Sequence, residues 1–107
     1  MAAKPRIKLP EDVKTGDVIE VKTLITHVME TGNRKDQNGQ KIPRDIINLF
    51  VCTYNGQEIF RAELHPAISA NPFVSFFTVA TASGTLEFKW TGDNGFSATE
   101  QVTITVE

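Results

Sequence analysis

Between Leu86 and Thr91 the chain alternates without a fault: Leu86, Phe88 and Trp90 are apolar or aromatic, while Glu87, Lys89 and Thr91 between them are polar. Side chains of a strand point to opposite faces with a period of two, so this run offers one side to a core and one to water, and its register is pinned. The pattern recurs along the chain. Ile19, Val21 and Ile25 alternate with Glu20, Lys22 and Thr26, and Val102, Ile104 and Val106 alternate with polar neighbours near the end. No stretch of ten residues carries a convincing helical period, which leaves an all-β fold as the reading.

Turn signals divide the chain into about seven strands. The first runs from Arg6 to Leu9 and stops at Pro10; the second runs from Val18 to His27 after Thr15-Gly16-Asp17. The third, Asp45 to Tyr54, closes on Asn55-Gly56, a dipeptide suited to a type I′ hairpin because both positions tolerate positive φ. The fourth, Glu58 to Leu64, therefore lies antiparallel to it with Phe60, Ala62 and Leu64 inward. His65-Pro66 ends that strand, Ala67 to Asn71 connects to Pro72, and the fifth strand is Phe73 to Ala80. Ser83-Gly84 precedes the sixth strand, and Asp93-Asn94-Gly95 turns the chain into the seventh. Such a series with an inward Trp90 predicts one domain over residues 1–107, an immunoglobulin-like antiparallel β-sandwich of about seven strands, lacking the antibody pair of cysteines. A small closed barrel is the alternative.

Composition removes several functions. The formal net charge is −2, and the 11 Lys and Arg are dispersed among acids rather than gathered into a stripe, so nucleic acid is not an expected partner. No run approaches the roughly 20 apolar residues of a membrane span. The basic start (Lys4, Arg6, Lys8) meets Pro10 without the apolar stretch of a secretory signal; taken alone, this predicts a soluble, cytoplasmic chain. Cys52 is the single cysteine, which excludes an internal disulfide and a cysteine-rich zinc site.

Catalytic machinery is also poorly supplied. His27 and His65 are too few for most zinc sites, and Asp36-Gln37-Asn38-Gly39 lacks the carboxylate spacing of a calcium loop. Cys52 lies mid-strand, where a thiol is ordinarily a small buried hydrophobe without an activating base. No Gly-x-Ser-x-Gly elbow or phosphate-cradling glycine loop is present. No catalytic residue, cofactor or metal is therefore expected. The one enzymatic arrangement to weigh is an acid–base pair of His27 and Glu30. A stand-alone binding module for a ligand or peptide is the alternative function.

Two features exceed what a self-sufficient sandwich needs. Strands three and five are apolar on both faces: Ile47, Leu49 and Val51 alternate with Ile46, Phe50, Cys52 and Tyr54, and Phe73, Phe77 and Val79 alternate with Val74 and Phe76. A two-layer sandwich buries one face of each sheet, so the surplus points to a partner, and Phe50, Cys52 and Tyr54 with Phe76 are the expected contact. The second feature is the charged segment Met29 to Lys41, long for a connection in a compact domain. Its Met29, Glu30, Arg34, Lys35 and Asp36 are the expected docking loop, by charge complementarity.

Several words of the sequence resemble a known family: His27-Val28-Met29-Glu30-Thr31-Gly32, then Arg34-Lys35-Asp36, Ile42-Pro43, and Ile68-Ser69-Ala70-Asn71-Pro72-Phe73. Together they resemble SoxZ, the smaller subunit of the SoxYZ thiosulfate-oxidation carrier complex, over essentially the whole chain. Many members carry Pro where Val28 stands, a departure that changes only the local backbone restriction. The resemblance implies an immunoglobulin-like, non-catalytic subunit in a heterodimer with SoxY, whose C-terminal cysteine carries sulfur intermediates. Other Sox enzymes act on that cysteine in the periplasm. A permanently paired subunit of this kind implies an interface of about 2,000 Å² or more in total. The last residues, Thr103-Ile104-Thr105-Val106-Glu107, contain no Gly-Gly-Cys arm, so the resemblance assigns this chain the scaffold role. It also implies export together with the partner.

Overall fold

The structure is a computed structural model that describes residues 5–65, 68 and 70–107. Lys4 of the basic start, and Pro66, Ala67 and Ser69 of the connection before strand five, lie outside the described residues. Seven strands are present among those described: β1 (Arg6–Lys8), β2 (Val18–Leu24), β3 (Ile47–Tyr54), β4 (Gln57–Glu63), β5 (Phe73–Val79), β6 (Gly84–Gly92) and β7 (Ser97–Ile104). They form two separate antiparallel sheets, ordered β1-β2-β5 and β4-β3-β6-β7. The sheets do not close on each other, so the sandwich and not the barrel is the fold.

The hairpins form where the turn chemistry asks for them. Asn55 and Gly56 hold φ of 49° and 85° between β3 and β4, the left-handed pair that lets two twisted strands reverse in two residues. Asp93–Gly95 forms a short 3-10 turn between β6 and β7. Just before it, a side chain at Gly92 would run into the Ile46 carbonyl, because β3 and β6 approach too closely there for any Cβ.

The core grows from β6. Leu86, Phe88 and Trp90 are fully buried, and across the β3–β6 ladder Tyr54, Cys52 and Phe50 stand opposite them in that order. Directly opposed residues share a face of the sheet, so these three must point inward too. Phe50 occupies the centre, with ring centroids 5.2 Å from Trp90 and 6.3 Å from both Phe88 and Phe76. At one side of the sandwich Phe60 on β4 stacks on Phe76 on β5 at 4.4 Å, joining the edge strands of the two sheets.

This register corrects the expected contact. Phe50, Cys52, Tyr54 and Phe76 are all buried core residues, not outer-face residues. The apolar surplus of β3 that faces outward is Leu49 and Val51, and that of β5 is Phe73, Phe77 and Val79. Tyr54 is further occupied by its hydroxyl, which receives the N–H groups of Thr81 and Ala82 and donates to the Ala82 carbonyl. Thr23, on the inward face of β2, is tolerated there because its hydroxyl donates to the Val74 carbonyl at 2.8 Å.

Candidate partner surface

The outer face of the three-stranded sheet is assembled row by row from the β2–β5 register. Val18 opposes Val79, Glu20 opposes Phe77, Lys22 opposes Ser75 and Leu24 opposes Phe73. Phe77, Val18 and Phe73 remain 67%, 68% and 60% exposed, and Val79 and Leu24 are exposed as well. The charges of β2 in these rows, Glu20 and Lys22, pair with each other at 3.8 Å, and Arg6 and Lys8 of β1 extend the Leu24 and Lys22 rows on the side away from β5. Beside them a shallow groove of about 330 Å³ runs between Val18 and Phe77 and the segment Lys8, Leu9 and Pro10. Contiguous apolar area of this kind is uncommon on a self-sufficient domain and marks a surface for a partner.

The charged segment expected as a docking loop is an ordered, hairpin-like finger. Glu30 and Asp45 exchange backbone N–H···O bonds of 2.8 Å at its root, Ile42 donates to the Arg34 carbonyl at 2.9 Å, and Lys35 pairs across to Lys41. Asp36 closes the tip by accepting the N–H groups of Asn38 and Gln40 at 2.8 and 3.0 Å. Its carboxylate is thus spent on the turn. Glu30 is engaged by the Arg34 guanidinium, whose hydrogen bond holds the Glu30 carboxyl below its usual range. At the finger's base Arg44 grips Asp93 through two bonds of 2.8 and 2.9 Å, and Asp93 also accepts the Ile46 N–H. Lys35 and Lys41 are left exposed, opposite each other and outside every ion pair found among the described residues.

The two most distinctive sequence words meet at the finger's root. His27 donates its backbone N–H to Asn71 Oδ1 at 2.9 Å, and Asn71 returns its own N–H to the His27 carbonyl at 2.7 Å. The His27 ring is buried, accepts the Met29 N–H on Nδ1 at 2.9 Å and stands edge-on to Phe96 with centroids 4.7 Å apart. Met29 is itself buried at φ 51°, with its sulfur 3.3 Å from the Ile47 amide. The acid–base pair of His27 and Glu30 is therefore not assembled: one ring nitrogen binds Met29, and Glu30 turns to Arg34. His27 Nε2 lies 4.0 Å from Asp45 Oδ1.

Burial pushes the Cys52 thiol up to about 12, so at neutral pH it is protonated and unreactive as a nucleophile. Among the described residues no three His, Cys, Asp or Glu side chains converge into a metal-binding group, and no helix is long and apolar enough to cross a membrane.

Residues 7–103 match the family model described as "Sulphur oxidation protein SoxZ". The chain belongs to the SoxZ family. It is a subunit of the Sox sulfur-oxidation system, as the resemblance of its sequence words implied. A comparison with curated protein sequences found no match. Among solved structures, superoxide reductase (neelaredoxin) from Ignicoccus hospitalis superposes with a TM-score of 0.71 at 19% identity, covering 96% of this chain and 80% of that one. The sulfur carrier protein SoxY from Chlorobium limicola f thiosulfatophilum superposes at 0.66 with 12% identity, covering 96% and 78%. A putative superoxide reductase from Thermotoga maritima gives 0.63 at 20% identity, covering 96% and 85%. These likenesses show the shared sandwich. Within the SoxZ family, the knot of His27, Met29 and Asn71 gives the distinctive words a structural role, and of the apolar face of β2 and β5 only Phe73 belongs to them.

Proposed function

We propose that this SoxZ-family chain is the non-catalytic scaffold half of a SoxYZ-type carrier, pairing in the periplasm with a SoxY-like subunit whose C-terminal cysteine carries the sulfur intermediates of thiosulfate oxidation. The observation that carries the reading is the bare outer face of β2 and β5, on which Phe73 and Phe77 are the largest exposed side chains. Taking each such side chain out of water is worth about 1.5–3 kcal/mol, and several are needed to offset the roughly 4–15 kcal/mol that association costs. The five apolar residues of this face supply that.

The finger has a separate role in this reading. Lys35 and Lys41 oppose each other, an arrangement that is unfavourable alone and is relieved by an acidic surface on the enzymes that process the carrier. Exchanging both for Gln lowers the association rate with those enzymes and weakens its salt dependence while leaving the SoxY pairing unchanged.

The test of the reading is light scattering after size exclusion, for the chain alone and for the chain mixed with the SoxY of the same organism. A stable 1:1 complex at micromolar concentration supports it. Separate elution of the two chains at that concentration overturns it.

A further inference from the structure

We infer that β5 takes up an extended strand of the partner along its free edge, so that the three-stranded sheet continues into the neighbouring subunit. This rests on the pairing proposed above and specifies how it is made. The hydrogen-bond parity of the β2–β5 ladder is fixed at both ends: Ile25 donates to the Pro72 carbonyl and Ala80 to the Asp17 carbonyl. In an antiparallel ladder the bonded rows alternate, so Val74, Phe76 and Thr78 turn their backbone groups toward β2. Phe73, Ser75, Phe77 and Val79 turn theirs away, and β5 is the last strand of its sheet. The same four residues carry the outward side chains. One line of the molecule thus combines N–H and C=O groups with no partner among the described residues, at every second residue, with Phe73, Phe77 and Val79.

The other three edges are guarded against such pairing. β1 is three residues long and carries Arg6 and Lys8; β4 carries Glu58, Arg61 and Glu63; β7 carries Glu100. Charges and shortness are what natural sheets use to keep strands from adding at an edge. β5 reads Phe-Val-Ser-Phe-Phe-Thr-Val, seven residues with no charge and no proline. Only an extended backbone satisfies a row of donors and acceptors with a two-residue repeat, and only apolar or small side chains suit positions opposite Phe73 and Phe77. The Phe60–Phe76 stack closes the sandwich beneath this edge, so the added strand lies beside the core without entering it. The occupant is therefore an uncharged strand of the carrier subunit.

Amide hydrogen exchange resolved by residue tests this on the unmodified protein. In the isolated chain Val74, Phe76 and Thr78 are protected and Phe73, Ser75, Phe77 and Val79 are not. On adding SoxY the second set slows by about 100-fold or more. Ser75→Pro removes one free-edge amide and no bond to β2, so it keeps the fold and weakens pairing by about tenfold or more, whereas Ser75→Ala keeps the amide and the affinity. A complex in which the four amides stay unprotected, or in which Ser75→Pro and Ser75→Ala bind alike, overturns the edge inference and leaves the pairing standing. Protection of the four amides in the concentrated chain alone, unchanged by SoxY, assigns the edge to a second copy and overturns the occupant. If no complex forms, the pairing itself fails and the inference with it.

Discussion

On the four-stranded sheet, outward-facing Val51 stands between Arg61 of β4 and Lys89 of β6, and Leu49 stands between Glu63 and Thr91. On the three-stranded sheet, Phe77 has Glu20 on one side and no strand on the other. Both faces come from strands that are apolar on both sides, and they differ in what lies beside the surplus. Long cationic side chains lay their methylene stems over neighbouring apolar groups while the charged heads stay in water, and Val51 is half-buried accordingly. Nothing comparable covers Phe73 or Phe77. One face is finished for water, and the other is left bare for the proposed partner.

The largest expected effect separates the inner face from both outer ones. Phe50→Asp places a carboxylate among Trp90, Phe88 and Phe76, a burial that costs more than about 4 kcal/mol and unfolds the chain, seen as loss of the cooperative thermal transition. A folded Phe50→Asp chain with weakened pairing would return this residue to the interface. Next comes the contrast between the outer faces. Phe77→Asp keeps its melting temperature yet loses about 30-fold or more in SoxY affinity, the size of a buried aromatic anchor. Val51→Asp, set between two cations, leaves affinity within about twofold, because its face is not used. Calorimetric titration of both variants decides; equal losses would erase the distinction between the faces.

Much of this fold is legible in the sequence for a simple reason: β6 has one apolar and one polar side, and β2, apart from Val18 and Leu24, and β7, apart from Glu100, follow it, so alternation fixes both the strand and its inward face. β3 and β5 defeat that reading. With Ile46, Phe50, Cys52 and Tyr54 on one side and Ile47, Leu49 and Val51 on the other, period two finds the strand but cannot orient it. The missing signal lies in the partner strand. Trp90 reads inward, and its cross-strand neighbour Phe50 must follow; Val21 reads inward, and Phe76 follows it. Had the ladder been laid out first, Phe77 and Val79 would have emerged on the outside. The root of the finger is not legible by alternation: only the family words single out His27 and Asn71, which lie 44 residues apart, the His27 N–H donating to the Asn71 side-chain Oδ1 and the Asn71 N–H to the His27 carbonyl.

A smaller effect concerns the finger's base, which neither face includes. The Arg44 guanidinium beside Asp93 holds that carboxyl below its ordinary range, aided by the Ile46 N–H. A depressed acid stabilises the fold above its unfolded pKa of about 4 and ceases to do so as pH falls through its folded value. Asp93→Asn therefore melts lower than the wild type at pH 7, and the gap narrows as pH falls below about 4 through the folded value. Parallel curves across that range would mean the ion pair contributes nothing that titrates. Pairing through β2 and β5 stays unaffected at pH 7.

The smallest effect tests whether the covered face is covered by charge or merely by shape. Arg61 reaches Glu58 at 2.9 Å and is the cross-strand neighbour of Val51 on the edge strand β4. Arg61→Ala removes both the exposed ion pair, which contributes little by itself, and the stem that shields Val51. A melting temperature lower by no more than a few degrees is expected, with SoxY affinity unchanged. Arg61→Met keeps the stem without the charge and restores the wild-type value if shielding is the cause. Should Arg61→Met melt as low as Arg61→Ala, the charge rather than the stem guards this face. In that case the bareness of β5 rests on its lack of charge alone, and Ser75→Lys, a charge added to the outer face of β5, weakens pairing while the isolated chain keeps its melting temperature.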